Sequence, residues 1–199
     1  GSTRYKVLLR AKNRCENCGV KSTKKALEVD HIKPRTKGGK DELSNYQALC
    51  YTCNSQKSNK DETNFRKVLE SYDYRKKKCI FCNIQKSETI SSNELAVVIK
   101  DNYPVTKHHC LIIPKRHCVD YFDLYQPEIN AITQLINKTK KELGKKDKSI
   151  KGFNIGNNSG EVAGQTIFHC HIHLIPRRKG DVENPRGGIR RVIPSKQNY

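Results

Sequence analysis

At 199 residues the chain has room for one large domain or two small ones, and a small domain needs more than a hydrophobic core to hold it. Its 39 Lys and Arg against 20 Asp and Glu leave a formal charge of +19, at +11 over residues 1–78 and +8 over 79–199; such a field favours phosphate-bearing partners, although a merely solvated basic surface carries the same charge. The longest apolar runs, 95–99 and 110–114, fall far short of the roughly 20 residues that span a bilayer, and no secretory leader opens the chain, so no membrane partner and a reducing, cytoplasmic setting are expected.

In chain order, residues 3–14 predict a short basic helix with Tyr5, Leu8 and Leu9 as its apolar positions, and Gly1-Ser2 reads as a cloning remnant. Cys15-Glu-Asn-Cys18-Gly19 is a knuckle turn. Residues 27–31 predict a strand, 34–40 with Gly38-Gly39 a loop, and 43–49 lead to a second knuckle at Cys50 and Cys53. Phe65, Val68, Leu69 and Tyr72 stand at helical spacing, so a polar helix is expected over 54–74, followed by the basic linker 75–78. Residues 94–100 and 110–114 read as strands, and 127–143 as an amphipathic helix with Ile129, Ile132, Leu135, Ile136 and Leu143 on one stripe. After a charged loop at 145–151, strands are expected at 153–156 and 167–176.

Nine cysteines include three C-x-x-C pairs, 15/18, 50/53 and 79/82. This spacing lets two thiolates share one tetrahedral ion, and it favours metal chelation over a disulfide scaffold. Cys15, Cys18, Cys50 and Cys53 make a closed four-thiolate set for a structural zinc. Between those pairs lie Asp30-His31-Ile32-Lys33-Pro34, Gly38-Gly39 and Asn45, and Asn54 and Lys57 follow. An acid beside an imidazole suits metal-assisted phosphodiester cleavage, in which the ion stabilises charge and the imidazole takes a proton from water.

The stretch 30–57 resembles the HNH endonuclease family in its zinc-bearing, Asp-His…Asn form. The resemblance implies a small ββα-metal unit in which Asp30 and Asn54 hold Mg²⁺ or Mn²⁺ and His31 is the general base. It implies further that Asn45 ties the catalytic loop; Lys57, with Arg35 or Lys37, is a candidate phosphate contact. A degenerate module that only binds nucleic acid is the alternative.

Downstream, His169-Cys170-His171-Ile172-His173 places three imidazoles at alternate positions of the expected strand, hence on one face. The polar, glycine-bearing loop 157–166 lies just before them. The residues alone leave two readings open, a phosphate-handling site and a metal site made by all three histidines. With Cys79, Cys82, Pro104-Val-Thr, the run 111–117, Ala163-Gly-Gln165 and the tail around Gly187, the pattern resembles the histidine-triad (HIT) superfamily. That resemblance implies His171 as nucleophile on an α-phosphate, through a nucleotidyl-histidine intermediate. His173, Asn158, Gln165 and Thr166 would bind phosphoryl oxygens, Asp101 a ribose hydroxyl, with His109 in support. Cys79, Cys82, His117 and His169 would hold a second structural zinc. Lys107-His108 departs from the family's Pro-Gly and leaves substrate identity open.

The expectation is therefore an α+β chain: an HNH module over 1–63, a helix end and linker over 64–78, and a HIT domain over 79–199 built as an antiparallel sheet plus helix. The partners expected are nucleic acid (DNA rather than RNA), a nucleotide, and a second copy of the chain through the HIT domain. The alternative is a HIT hydrolase of dinucleoside polyphosphates or nucleoside phosphoramidates with a silent HNH module.

Overall fold

A computed structural model describes residues 1–59 and 61–197. The first half is built on α1 (Thr3–Arg10), a two-stranded antiparallel sheet of β1 (Leu27–His31) and β2 (Tyr46–Cys50), and α2 (Tyr51–Lys57), which leaves β2 without an intervening loop. Leu27 pairs with Cys50 and His31 with Tyr46 at the two ends of the ladder. Two small apolar clusters hold this half. One joins Cys15, Leu27, Leu49, Cys50 and Cys53, the other Val7, Ala11 and Ala48. A core this small stabilises little by burial alone, so the cysteine cluster inside it matters to the fold.

The helix expected over 54–74 is two short ones, α2 and α3 (Arg66–Ser71). Ser58 takes a positive φ of 52° at the end of α2, and the Asp61 carboxylate then folds the chain back by accepting from the Thr63 amide at 2.7 Å. Local side-chain-to-backbone bonding won over helical periodicity there. The linker is not loose. The Tyr74 carbonyl accepts from His117 N–H at 2.8 Å and the Lys76 amide points at Cys82 Sγ at 3.3 Å.

The second half is a five-stranded antiparallel sheet of β3 (Thr89–Ser92), β4 (Ala96–Lys100), β5 (Cys110–Pro114), β6 (Ile150–Gly156) and β7 (Ile172–Arg178), in spatial order β3-β4-β5-β7-β6. α4 (Gln126–Lys146) crosses one face. Beneath it Val98, Cys110, Ile112, Ile132, Leu135, Cys170, Ile172 and Leu174 form the main core, which places Cys110 and Cys170 among small buried hydrophobes. On the opposite face Phe81, Leu111 and Ile113 make a second, smaller cluster. Both charged-loop ends yielded to regular structure, since α4 runs on to Lys146 and β6 starts at Ile150; β3, a short polar edge strand, was not expected at all.

The strand expected over 167–176 begins only at Ile172, so of the three histidines His173 alone is on the ladder, opposite Leu111. The backbone amides of His169 and Cys170 go to Ile167 and Cys118 carbonyls instead. The alternation nevertheless persists: Cys170, Ile172 and Leu174 enter the core while the imidazoles face the other way.

The halves touch. Glu94 pairs with Arg14 and with Lys21, the latter at 3.1 Å. Tyr72 packs edge-on to Tyr125 at 5.7 Å and its hydroxyl donates to the Asn17 carbonyl.

Candidate functional site

The four thiolates come together at the junction of the first knuckle and the start of α2. All four sulfurs lie within 4.8 Å of one another, and Cys18 and Cys50 sulfurs are 3.7 Å apart. Thiolates bound to one tetrahedral zinc at 2.3 Å stand about 3.8 Å apart, so the donor set and its spacing fit that ion. The electrostatics agree. Hydrogen bonds from Cys18 and Cys53 hold the Cys15 thiol down to about 2, while Cys15 pushes Cys18 up to about 12 and Cys53 well above its ordinary range. One thiolate forbids its neighbours from ionising, a conflict that a divalent cation removes. Gly19, at φ 70°, closes the knuckle.

Above it, β1 and α2 set two adjacent polar pairs. Glu28 and Asp30 are two apart on β1, and Asn54 and Lys57 are one turn apart on α2. Asn54 donates to Glu28 at 2.7 Å. Asp30 accepts from Gln47 at 2.9 Å and faces the Lys57 ammonium at 3.2 Å. Asp30 and Asn54, expected to share an ion, are thus each held by another partner. Lys57 is not the expected phosphate contact. It is 4% exposed, and its ammonium lies between the Asp30 carboxylate and the His31 carbonyl. The Asp30 carboxylate already faces one cation, the Lys57 ammonium, and among the described residues it joins no group of three or more His, Cys, Asp or Glu ligand atoms. The donors that Asp30 and Asn54 offer are oxygens, the kind a hard ion takes.

His31 is turned to the other side of β1. Its Nε2 meets Asp41 Oδ1 at 2.7 Å and its ring sits edge-on to Tyr46 at 4.8 Å. Asn45 bridges the intervening loop, donating to the Lys33 and Lys40 carbonyls and accepting from Lys33 N–H. Glu28, Asp41 and Gln47 were passed over in the sequence; the alternation of Glu28 with Asp30 on a strand was the available signal for the first of them.

The second sulfur-bearing cluster sits on the sheet face away from α4. His169 Nδ1 is 3.3 Å from Cys79 Sγ and 3.6 Å from Cys82 Sγ, and His117 Nδ1 is 3.4 Å from Cys82 Sγ. That is tetrahedral spacing for a Cys₂His₂ zinc. His169 Nε2 donates to the Pro114 carbonyl at 2.9 Å, which leaves Nδ1 as the ligand nitrogen. Burial holds His169 down to about 4 and so keeps it neutral.

Beside that cluster, His171 Nδ1 donates to the His169 carbonyl at 2.8 Å, so its Nε2 presents a bare lone pair. The ring lies 5.2 Å from both Phe81 and His173 and is 7% exposed. His173 Nδ1 is 3.0 Å from His109 Nε2, with Asp101 Oδ2 3.7 Å away. Burial, reinforced by His171 and His109, holds His173 down to about 4. His109 is buried in direct contact with the triad, closer than a supporting role required.

The loop expected to cradle phosphate turns on Gly160 and Gly164, both near φ +86°. Gln165 does not face a ligand. Its Oε1 accepts from Gly160 N–H, its Nε2 donates to the Val119 and Ile167 carbonyls, and only 3% of it is exposed. It braces the loop. Asn158 and Thr166 are exposed, with Asn158 leaning on the Gly164 carbonyl at 3.3 Å.

Residues 83–180 match the HIT domain family and residues 15–60 the HNH endonuclease family. A HIT-like protein of Mycoplasma genitalium is 38% identical over 103 residues, which is 50% of this chain and 72% of that protein. The chain belongs to the HIT family. Its HIT half is also 31% identical over 103 residues to adenosine 5'-monophosphoramidase hnt1 of Schizosaccharomyces pombe, covering 50% of this chain and 74% of that one. A zinc-bound histidine triad family protein from Mycobacterium smegmatis superposes with a TM-score of 0.50 at 32% identity, over 54% of this chain and 80% of the other. The HIT protein carries an HNH domain fused ahead of the triad, and zinc suits both of its sulfur-bearing clusters.

Proposed function

We propose that the chain is a two-site enzyme on nucleic acid and nucleotides, in which the HIT half hydrolyses or transfers a nucleotidyl group and the HNH half cuts phosphodiesters. The observation that carries the HIT reading is the His171–His169 carbonyl bond, which fixes one tautomer and leaves Nε2 without a proton. In the proposed reaction Nε2 forms a bond to the α-phosphorus, the leaving group departs with its electron pair, and water then breaks the N–P bond to release the nucleotide. His173, neutral at pH 7 and held by His109, donates to a phosphoryl oxygen as charge builds there. Asp101 accepts from a ribose hydroxyl. Kinship with an adenosine 5'-monophosphoramidase supports a nucleoside phosphoramidate or related adenylate as substrate.

For the HNH half the bound Mg²⁺ or Mn²⁺ would stabilise charge on the phosphodiester. Asp30 and Asn54 would hold it. His31, whose Nε2 is held by Asp41 on the other side of β1, would have to swing toward the Asp30 side to take the proton of the attacking water, and Lys57 would give up its place against Asp30. The charge of +19 supports a nucleic-acid partner, DNA before RNA. The edge position of β6 supports pairing of two HIT halves. Nine free cysteines support a reducing, cytoplasmic setting. Among the described residues no helix is long and apolar enough to cross a membrane.

One concrete version has the HIT half stripping adenylate from a 5′ end while the HNH half trims the strand. Incubation with an adenylated nicked duplex is expected to release AMP from wild type and from Asp30→Ala, but not from His171→Ala; cleavage of plain duplex is expected to fail only in Asp30→Ala. An active protein that turns over phosphoramidates and leaves both duplexes intact would favour the HIT hydrolase with a silent HNH module.

A further inference from the structure

The HIT pocket gathers a set of donor atoms that the two sulfur-bearing clusters do not include. Asp101, His109 and His173 each offer one ligand atom, all within 4.8 Å of one another. His109 Nε2 stands 3.0 Å from His173 Nδ1, and Asp101 Oδ2 stands 3.7 Å from the same nitrogen. Ligands at 2.0–2.1 Å from a tetrahedral zinc lie about 3.3–3.4 Å apart, and the two observed spacings straddle that value. Asp101 Oδ1 is already taken by the Tyr103 amide at 2.8 Å, which leaves Oδ2 to face the imidazoles.

Without an ion, Val105 N–H donates to His109 Nδ1 at 3.3 Å and His109 Nε2 donates to His173 Nδ1 at 3.0 Å, which leaves Asp101 Oδ2 at 3.4 Å from His109 Nδ1 and 3.7 Å from His173 Nδ1 with no proton facing it from either atom. An ion held by His109 Nε2, His173 Nδ1 and Asp101 Oδ2 gives that carboxylate a cation; His109 then carries its proton on Nδ1, and the Val105 amide turns away from it. Burial holds both imidazoles below their ordinary range, so both are neutral and able to ligate at pH 7. A two-nitrogen, one-oxygen set favours zinc over magnesium.

We propose that Asp101, His109 and His173 form an exchangeable zinc site whose occupation reversibly shuts the HIT centre. The shutting, though not the binding, rests on the catalytic reading given above: zinc takes the His173 nitrogen and the Asp101 oxygen that the nucleotide needs. Three protein ligands leave a fourth position to solvent, so this ion exchanges more readily than the two four-ligand ions. His171 is outside the set, since among the described residues the donor cluster comprises Asp101, His109 and His173 alone.

The test is zinc titration of the full-length chain already carrying its two sulfur-bound ions, by calorimetry, with Co²⁺ spectra alongside to separate thiolate from nitrogen and oxygen ligation. One further ion per chain is expected, without thiolate-to-cobalt absorption, kept in His171→Asn and lost in both His109→Gln and Asp101→Asn. Retention of the two sulfur-bound ions in each variant shows that it is folded. Wild-type nucleotidyl hydrolysis is expected to fall about tenfold or more over the same zinc range and to return with a weak chelator. Absence of the third ion, or its persistence in both variants, overturns the site. Binding with unchanged turnover overturns the shutting, and a chain without HIT activity under any condition overturns the catalytic reading while the ion count still decides the site.

Discussion

Lys57 shows how a single side chain can hold an acidic site ready without its ion. Its ammonium is buried between Asp30 and the His31 carbonyl, so removing it leaves a half-buried carboxylate without a counter-charge. Lys57→Met is expected to cost about 2–3 kcal/mol of stability in urea denaturation. Adding Mg²⁺ should recover more of that loss in the variant than it adds to wild type, because the ion then meets no competing ammonium; equal Mg²⁺ gains in both proteins would contradict the placement. Asp41 belongs to the same scale. Its carboxylate meets His31 Nε2 at 2.7 Å, and Asp41→Asn is expected to lower duplex cleavage about a hundredfold while leaving HIT turnover unchanged.

At the scale of elements, the sequence was legible where chemistry and periodicity agreed. α4, β1, β4 and β5 stand close to their expected bounds, because each carries a long apolar stripe or a run of β-branched residues. The cysteine and histidine sets were legible because metal-ligand spacing is short-range. What could not be read is competition between local bonds. Ser58 and Asp61 break a helix that Phe65, Val68, Leu69 and Tyr72 seemed to require, and the strand expected to carry the whole triad starts only at Ile172. Gln165 and Lys57 carry polar ends that look free in a sequence but are spent internally, and only three-dimensional neighbours reveal that. The end of the β6–β7 hairpin gives a test in pH. Arg178 donates to Asp147 at 2.7 Å, and this bond, with Ser149, holds the Asp147 carboxyl well below its ordinary range. A depressed folded value means the contribution is complete above the unfolded value of about 3.9 and is lost as pH falls below it. Arg178→Met should therefore lower Tm at pH 8, the gap closing below about pH 4; His108, 3.9 Å from Asp147 and held down by burial and by neighbouring cations including Arg178, is expected to take over part of the pairing in the variant as pH falls through its range. A gap that stays as wide at pH 3 as at pH 8 would count against this pair.

The whole molecule is two small halves, each with a sulfur-bearing cluster that suits zinc, tied across a polar seam. Glu94 takes Arg14 and Lys21 from the first half, and Tyr72 reaches both Tyr125 and the Asn17 carbonyl. Tyr72→Ala removes a buried ring and is expected to cost about 3 kcal/mol; calorimetry is expected to show one melting transition for wild type and two for the variant. A strong chelator is expected to unfold the first half outright, since its two apolar clusters are too small to stand without the Cys15, Cys18, Cys50 and Cys53 site. The account as a whole depends on His171 as the attacking group. Its most direct test is trapping: the chain is mixed with a labelled adenosine phosphoramidate, quenched within a single turnover, digested and sequenced by mass spectrometry. An acid-labile adenylate on His171 is predicted, absent in His171→Asn, with turnover in that variant down by at least about a thousandfold. Label on another residue, or a His171→Asn protein that turns over at the wild-type rate, would contradict it.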